Sequence, residues 1–206
     1  MADRQAYTPA SPMRIAVFIS GTGTNMVAII NAIKAGELDA RIELVVSSNT
    51  KAKGIKRAQE EGLDTLVFEI ADYADPEAVD AKLVSELQAR SVDYVVMAGY
   101  MRKVTPVLLE AFPNRVVNLH PALLPKHRGA HAIQDAFDAG DEVTGITIHF
   151  ANEEYDKGPI IFQHEVPIVP GETIDELETR IHAAEHKYYP KVLQQLAHGE
   201  QGSMSF

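Results

Sequence analysis

Arg14-Ile-Ala-Val-Phe-Ile-Ser20, followed at once by Gly21-Thr-Gly-Thr-Asn25, decides how the rest of the chain reads. The first run is apolar without alternation, as befits a strand covered on both faces of a parallel sheet. Residues 26–35 then put Ile29, Ile30 and Ile33 on one side of a helix. Strand, glycine turn and helix open a βαβ unit, and the rhythm continues outward. Ile42-Glu-Leu-Val-Val-Ser47, Thr65-Leu-Val-Phe-Glu-Ile70, Asp93-Tyr-Val-Val-Met-Ala98 and Arg115-Val-Val-Asn-Leu-His120 read as further strands. Helices are expected over residues 52–61 and about 76–90. Such alternation predicts right-handed crossovers and an α/β fold, three-layered and Rossmann-like, around a mostly parallel sheet.

After about residue 142 the pattern changes. Residues 143–150 and 159–168 are two longer β-like runs joined by the polar loop 151–158, which predicts an antiparallel C-terminal extension of the sheet. Thr173-Ile-Asp-Glu176 is a capping box that opens a closing helix, with Leu177, Ile181, Ala184 and Tyr188 at helical spacing. Pro190 is expected to kink or restart that helix, because its ring clashes with the carbonyl four residues back. Residues 1–12, polar and holding two prolines, read as a flexible tail, and residues 199–206 as a second one. The expectation is a single domain over residues 13–198.

The composition narrows the chemistry. The 206 residues carry a net charge of −10 and are 46% hydrophobic, a size and balance suited to one soluble globular domain. There is no cysteine, which excludes disulfides, thiolate nucleophiles and Cys-ligated zinc. The acidic balance argues against a nucleic-acid or membrane-surface partner. No apolar run reaches the roughly 20 residues of a membrane span, and the first twelve residues lack a signal-peptide core. A cytoplasmic protein with a small-molecule partner is expected.

Ser20-Gly-Thr-Gly-Thr-Asn25 lies where an open α/β sheet places a ligand, after a strand and at a helix N-terminus. A dinucleotide fingerprint would need a third glycine where Met26 stands and an acid where Ser47-Ser48-Asn49 follows the second strand. No lysine follows at Walker A spacing, so a single phosphate monoester fits the loop better than NAD or ATP. Asn118 and His120, two apart on a strand stopped by Pro121, share a face at the carboxyl end of the sheet. There an amide can hold an oxyanion and an imidazole can move a proton. A carboxylate from the cluster Asn152-Glu-Glu-Tyr-Asp156 would favour the imidazolium and raise its pKa, with Glu153, Glu154 and Asp156 all open as that partner.

These residues occur in an order that resembles the phosphoribosylglycinamide formyltransferases, folate-dependent enzymes of purine synthesis. The resemblance runs from about Arg14 to Leu196. It rests on Ser20-Gly-Thr-Gly-Thr-Asn25, Val96-Met-Ala-Gly-Tyr-Met-Arg102, Asn118-Leu-His-Pro-Ala-Leu-Leu-Pro125, Thr147-Ile-His-Phe150, Asp156-Lys-Gly-Pro-Ile160 and Glu185-His186. It implies the formyltransferase fold and transfer of a formyl group from 10-formyltetrahydrofolate, as co-substrate, to the amine of glycinamide ribonucleotide, without a metal. It implies Asn118 as the oxyanion donor, His120 as the acid and Asp156 as the carboxylate that raises the His120 pKa. It also implies Gly23, Thr24, Asn25 and Glu185 as ribonucleotide-binding residues. Folate would meet Met101, Arg102, Lys103 and Val104 and the loop Asn152, Glu153, Glu154, Tyr155 and Asp156, which is expected to order around it. A monomer or homodimer is expected.

Three departures stand out. Pro76 occupies a position where some members carry an arginine, His182 one where some carry glutamine, and Lys126-His-Arg-Gly129 is more basic than in some members. Other readings fit less well. His182-Ala-Ala-Glu-His186 matches an inverted zinc-protease pattern, yet Glu200 is the sole later carboxylate, so an exposed helix face is expected instead. Methionyl-tRNA formyltransferases carry an additional C-terminal domain, and formyltetrahydrofolate hydrolases usually an N-terminal one; little chain is left here for either. A non-catalytic phosphate-binding module would have little use for a His–carboxylate pair beside an amide.

Overall fold

The computed structural model describes residues 7–202 and 204–206. Seven strands form one sheet in the order β3-β2-β1-β4-β5-β6-β7. These are β1 (Met13–Ile19), β2 (Ala40–Ser47), β3 (Thr65–Val67), β4 (Tyr94–Met97), β5 (Val116–His120), β6 (Val143–Phe150) and β7 (Ile160–Pro167). The first five run parallel, and β6 and β7 pair antiparallel as the expected C-terminal extension. The helices are α1 (Thr24–Lys34), α2 (Lys53–Glu60), α3 (Pro76–Ala89), α4 (Pro106–Ala111), α5 (Ala132–Asp138) and α6 (Ile174–Ala197).

The three layers follow from the period of two along β1. Ile15, Val17 and Ile19 point into a core shared with Met26, Ile29 and Ile30 of α1 and Ile181, Tyr189 and Leu193 of α6. Ala16 and Phe18 point the other way, onto Val79, Leu83 and Leu87 of α3 and Leu108 of α4. A strand used on both faces has no position to give to a polar residue, which is why β1 reads as an unbroken apolar run. The strand order reverses between β1 and β4, and the crevice beyond their carboxyl ends is where open α/β sheets hold ligands.

Several expectations change at their edges. The third strand stops at Val67, because β2 ends at Ser47 and the last ladder bond runs from the Phe68 N–H to the Ser47 carbonyl. Residues 70–72 form a single 3-10 turn instead. The helix α6 runs through Pro190 as one 24-residue element. Proline costs an interior helix about 3 kcal/mol, but the fully buried Tyr189, Val192, Leu193 and Leu196 clamp both sides of it. The capping box at Thr173 and Glu176 forms as predicted.

The expected tails pack onto the body where they are described. The Tyr7 hydroxyl donates to Asp93 Oδ1 at 2.6 Å, and its ring stacks edge-on against Tyr94. At the other end, Gln201 Nε2 donates to the Tyr94 hydroxyl at 2.6 Å, and Phe206 packs on Phe162. Composition marks these segments as polar but cannot show a partner distant in sequence. The remainder of the expected N-terminal tail, residues 1–6, lies outside the described residues.

Candidate active site

The turn between β1 and α1 is shaped by two glycines in contact. Gly23 caps α1 in the left-handed region at φ 73°, and a Cβ there would meet Gly54 Cα at 3.0 Å. A Cβ on Gly54 would in turn lie 2.6 Å from Ile19 Cδ1. The Gly54 N–H donates to the Gly21 carbonyl at 3.0 Å, so the first turn of α2 braces the loop from behind. With no side chain at 21 or 23, the amides of the loop and of the α1 N-terminus face an open recess, an arrangement that attracts an anion.

That recess has a volume of about 250 Å³. Residues 21–25 form one wall, residues 98–101 after β4 and 118–121 at the end of β5 the second, and His182 and Glu185 of α6 the third. A smaller recess of about 30 Å³ adjoins it, lined by Arg102, Lys103, Val104, His149, Asn152, Glu154 and Asp156 among others. Asn118 and Tyr155 line both. A larger groove of about 630 Å³ opens between α1 and α6, but Asn118, His120 and Asp156 take no part in it.

At the junction three polar side chains from distant parts of the chain meet. The register sets Asn118 opposite His149 and His120 opposite Thr147. The loop 151–159 leaves β6 beside Val116, with the Ala151 N–H donating to the Val116 carbonyl at 2.8 Å, and brings Asp156 to His120. Asp156 Oδ2 lies 3.4 Å from His120 Nδ1, and Oδ1 lies 3.7 Å from His149 Nε2. The Gly129 N–H donates to Asp156 Oδ2 at 3.0 Å, and Asp156 itself sits at φ 53°, a conformation that Asp adopts more readily than most residues. His120 and Asp156 are only 4% and 5% exposed.

The hydrogen-bond partners assign the tautomers. His120 Nε2 is 2.8 Å from the His127 carbonyl, and His149 Nδ1 is 3.0 Å from the Phe150 carbonyl. A carbonyl only accepts, so both of those nitrogens carry hydrogen. Neutral His149 then presents a lone pair at Nε2 to the Asn118 amide nitrogen, 3.1 Å away. One amide N–H of Asn118 is thereby used, and the other is left for the cleft. Neutral His120 likewise presents a lone pair at Nδ1, beside the Asp156 carboxylate.

The expected rise in the His120 pKa is not the net result. Burial dominates and holds it below the usual histidine value of 6.5, with the Asp156 charge and the bond to the His127 carbonyl opposing that fall. Burial alone would push the Asp156 carboxyl up; the neighbouring His149 side chain, the hydrogen bond from the Gly129 N–H and the stabilisation that either imidazole gives the carboxylate when it is protonated hold it below the ordinary range.

The remaining expected site residues fall into place unevenly. Gly23, Thr24, Asn25 and Glu185 all line the first recess, and buried Glu185 accepts from Asn25 Nδ2 at 2.9 Å. Lys103, Val104, Asn152, Glu154 and Tyr155 line the second. Met101, grouped with the folate strip by resemblance, lines the first recess instead and is 58% exposed. Glu153 lines neither. The Arg102 guanidinium is turned inward, pairing with fully buried Asp80 and donating to the Tyr100 hydroxyl at 3.1 Å, so it braces residues 100–105 and its own charge is spent on Asp80. His149 is buried, hydrogen-bonded at both ring nitrogens, and the partner of Asn118; its place opposite Asn118 in the hairpin is the signal that finds it. Among the described residues, no group of three or more His, Asp or Glu is placed to hold a metal ion, and no helix is long and apolar enough to cross a membrane.

Comparison with known proteins agrees with this geometry. The sequence model of the formyl transferase family matches residues 13–193. The chain is 39% identical over 186 residues to the phosphoribosylglycinamide formyltransferase of Haemophilus influenzae, covering 90% of this chain and 88% of that protein. Its structure resembles glycinamide ribonucleotide transformylase 1 of Symbiobacterium toebii, with a TM-score of 0.89 at 43% identity over 92% of this chain and 90% of that one. The corresponding enzyme of Geobacillus kaustophilus gives a TM-score of 0.88 at 46% identity over 90% of this chain and 98% of that one. A polar trio at the carboxyl end of a Rossmann-like sheet, a glycine turn beside it and likeness along nearly the whole chain lead to one conclusion: the chain belongs to the formyl transferase family.

Proposed function

We propose that this protein transfers the formyl group of 10-formyltetrahydrofolate to the amine of glycinamide ribonucleotide, in the cytoplasmic de novo synthesis of purines. One observation carries the reading: Asn118 lines two adjoining recesses, one beside a glycine turn suited to a phosphate and one beside the strip 102–104 and the loop 152–156. Two substrates held in those recesses would present their reacting atoms to the same amide.

The chemistry follows from the tautomers. The ribonucleotide amine attacks the formyl carbon, and the carbonyl electrons move onto oxygen. The free N–H of Asn118 donates to that oxyanion, which His149 supports by occupying the other N–H. The new C–N bond leaves the amine with a surplus proton, which His120 accepts at Nδ1. Asp156, 3.4 Å from that atom, stabilises the imidazolium. The proton then passes to N10 of the folate as the C–N10 bond breaks and the carbonyl reforms, so His120 ends as it began. Holding both reactants in line supplies much of the rate, and the oxyanion donor most of the remainder.

The direct test follows consumption of 10-formyltetrahydrofolate with and without glycinamide ribonucleotide. Strict dependence on the ribonucleotide is expected. Equal consumption without it would indicate a hydrolase and overturn the proposal.

A further inference from the structure

The side chains of Lys126, His127 and Arg128 line neither recess, but the main chain of this basic stretch reaches both His120 and Asp156. The His127 carbonyl accepts from His120 Nε2 at 2.8 Å. Two residues on, the Gly129 N–H donates at 3.0 Å to Asp156 Oδ2, the oxygen that faces His120 Nδ1. One short turn therefore sets the acceptor on one side of the imidazole and the carboxylate on the other.

That carbonyl decides which nitrogen of neutral His120 is the base. A carboxylate 3.4 Å from Nδ1 favours a hydrogen on Nδ1, which it would accept. The His127 carbonyl favours the hydrogen on Nε2, and only that form leaves Nδ1 its lone pair. The two tautomers are set against each other, and the carbonyl prevails on distance, 2.8 Å against 3.4 Å.

The main chain does not hold the turn by itself. His127 sits at φ 47°, in the left-handed region that a side chain rarely adopts and that its surroundings must hold. Among the described residues, 127–129 make no hydrogen bond from main chain to main chain. Apart from the bonds to His120 and Asp156, the tether is a side chain. His127 Nε2 donates to Asp141 Oδ2 at 2.9 Å, and the same oxygen accepts from Lys126 Nζ at 3.3 Å. Asp141 is itself fixed, its N–H donating to the Ala136 carbonyl at 3.3 Å at the end of α5, just before β6 begins at Val143. The side chains of His127 and Asp141 are 17% and 20% exposed, so water competes only in part for their bond. Hydrogen bonding from His127 is the largest influence holding the Asp141 carboxyl below its ordinary range, with Lys126 second.

We propose that Asp141 is a positioning residue for the proton transfer: through the His127 side chain it holds the turn 127–129, and so keeps neutral His120 in the tautomer with its lone pair at Nδ1. The inference rests on the function proposed above, although the tautomer can be read without substrate. Neither Asp141 nor His127 lines either recess, so both act through His120. Once the tether is cut, the carbonyl is free to swing away, and the Asp156 charge draws the hydrogen onto Nδ1. The base is lost while the cleft keeps its walls.

The test compares the full chain with Asp141→Ala and Asp141→Asn. Ring 15N shifts of His120 are read at about pH 8.5, above its depressed pKa, where the nitrogen that bears hydrogen and the one that does not are distinct. In the full chain the hydrogen is expected on Nε2. In Asp141→Ala a substantial share should move to Nδ1, and kcat should fall roughly 10- to 100-fold, as a misplaced catalytic group costs. KM for both substrates should stay within about twofold, because no binding contact is touched. Asp141→Asn keeps an acceptor oxygen for His127 and should recover most of the loss. His127→Phe cuts the same tether from its other end, should repeat the Ala result, and serves where Asp141→Ala does not fold. A hydrogen that stays on Nε2 in the cut variants, whatever happens to kcat, overturns the role of Asp141, as does an Asn variant no better than Ala. A displaced hydrogen with unchanged kcat overturns instead the base role proposed for His120 at Nδ1, and with it the part of Asp141 in the reaction.

Discussion

Asn118 can serve an oxyanion only because His149 holds it still. An unrestrained amide would turn its oxygen or its nitrogen to the cleft with little preference, whereas the lone pair at His149 Nε2 selects the nitrogen. Replacing Asn118 by Ala should therefore remove a preorganised donor and lower kcat by roughly 10²–10³, about 3–4 kcal/mol; steady-state turnover measures it, and near-normal kcat would exclude the role. The sign of the pH effect is equally specific. His120 works as the neutral base, so kcat/KM should show, beneath the separate limb that protonation of the substrate amine sets at roughly 8, a His120 limb below 6.5, where it falls as pH drops through that depressed pKa. Asp156→Asn removes an anion that pushes that pKa up, so the limb and the His120 ring titration followed by NMR should both move to lower pH. An unmoved His120 titration would remove Asp156 as its partner. The Asn118–His120 pair was legible from its spacing of two on a strand, but the carboxylate was not chosen among three acids by spacing. Burial chooses it: Glu154 is exposed and paired with Lys157, Glu153 is exposed, and Asp156 turns inward.

At the scale of elements, the β6–β7 hairpin converts a sheet extension into part of the site. Its register sets His149 against Asn118, and a shift between Ile148 and His149 marks where the hairpin departs from regular pairing. The return of the loop depends on Gly158, where a Cβ would sit 1.6 Å from the Phe150 carbonyl oxygen. Backbone cannot give way there without shifting residues 156–160. Gly158→Ala should cost about 1–3 kcal/mol, as overpacking does elsewhere, and should draw Asp156 away from both imidazoles. Urea denaturation reads the first effect; turnover, together with a downward shift of the His120 titration, reads the second. A variant of reduced stability with an unmoved His120 titration would show that the loop reaches His120 by another route. Elements with strong periodicity were legible: residues 143–150 form β6 with the predicted bounds, and the capping box opens α6. The helices α4 and α5 span six and seven residues, too few turns for an apolar stripe to register.

Across the whole molecule, the sheet separates function from anchoring. The carboxyl ends of β1, β4 and β5 carry the cleft. At the amino ends of β1 and β4, buried Asp93 accepts from the Arg14 N–H at 2.8 Å and from the Tyr7 hydroxyl at 2.6 Å, while the Arg115 guanidinium lies 4.5 Å from the centre of the Tyr7 ring. Tyr94 joins the N-terminal segment to the C-terminal one, since its ring meets Tyr7 and its hydroxyl accepts from Gln201. This clasp was invisible in the sequence because Tyr7 and Asp93 are 86 residues apart and the intervening composition says nothing of their meeting. It also lies beyond the reach of the reacting groups, which makes a clean separation testable. Tyr7→Phe keeps the ring and the edge-on stacking but removes a hydrogen bond to a carboxylate, worth about 1.5–3 kcal/mol at a charged partner and less here because Tyr7 is only partly buried. For a domain of this size each kcal/mol shifts Tm by roughly 2–4 °C. The expected outcome is a fall of a few degrees with kcat/KM unchanged at temperatures well below the transition. An unaltered Tm would show that Asp93 finds a replacement donor in water, and a loss of kcat/KM matching the loss of stability would show that the two ends of the sheet are coupled after all.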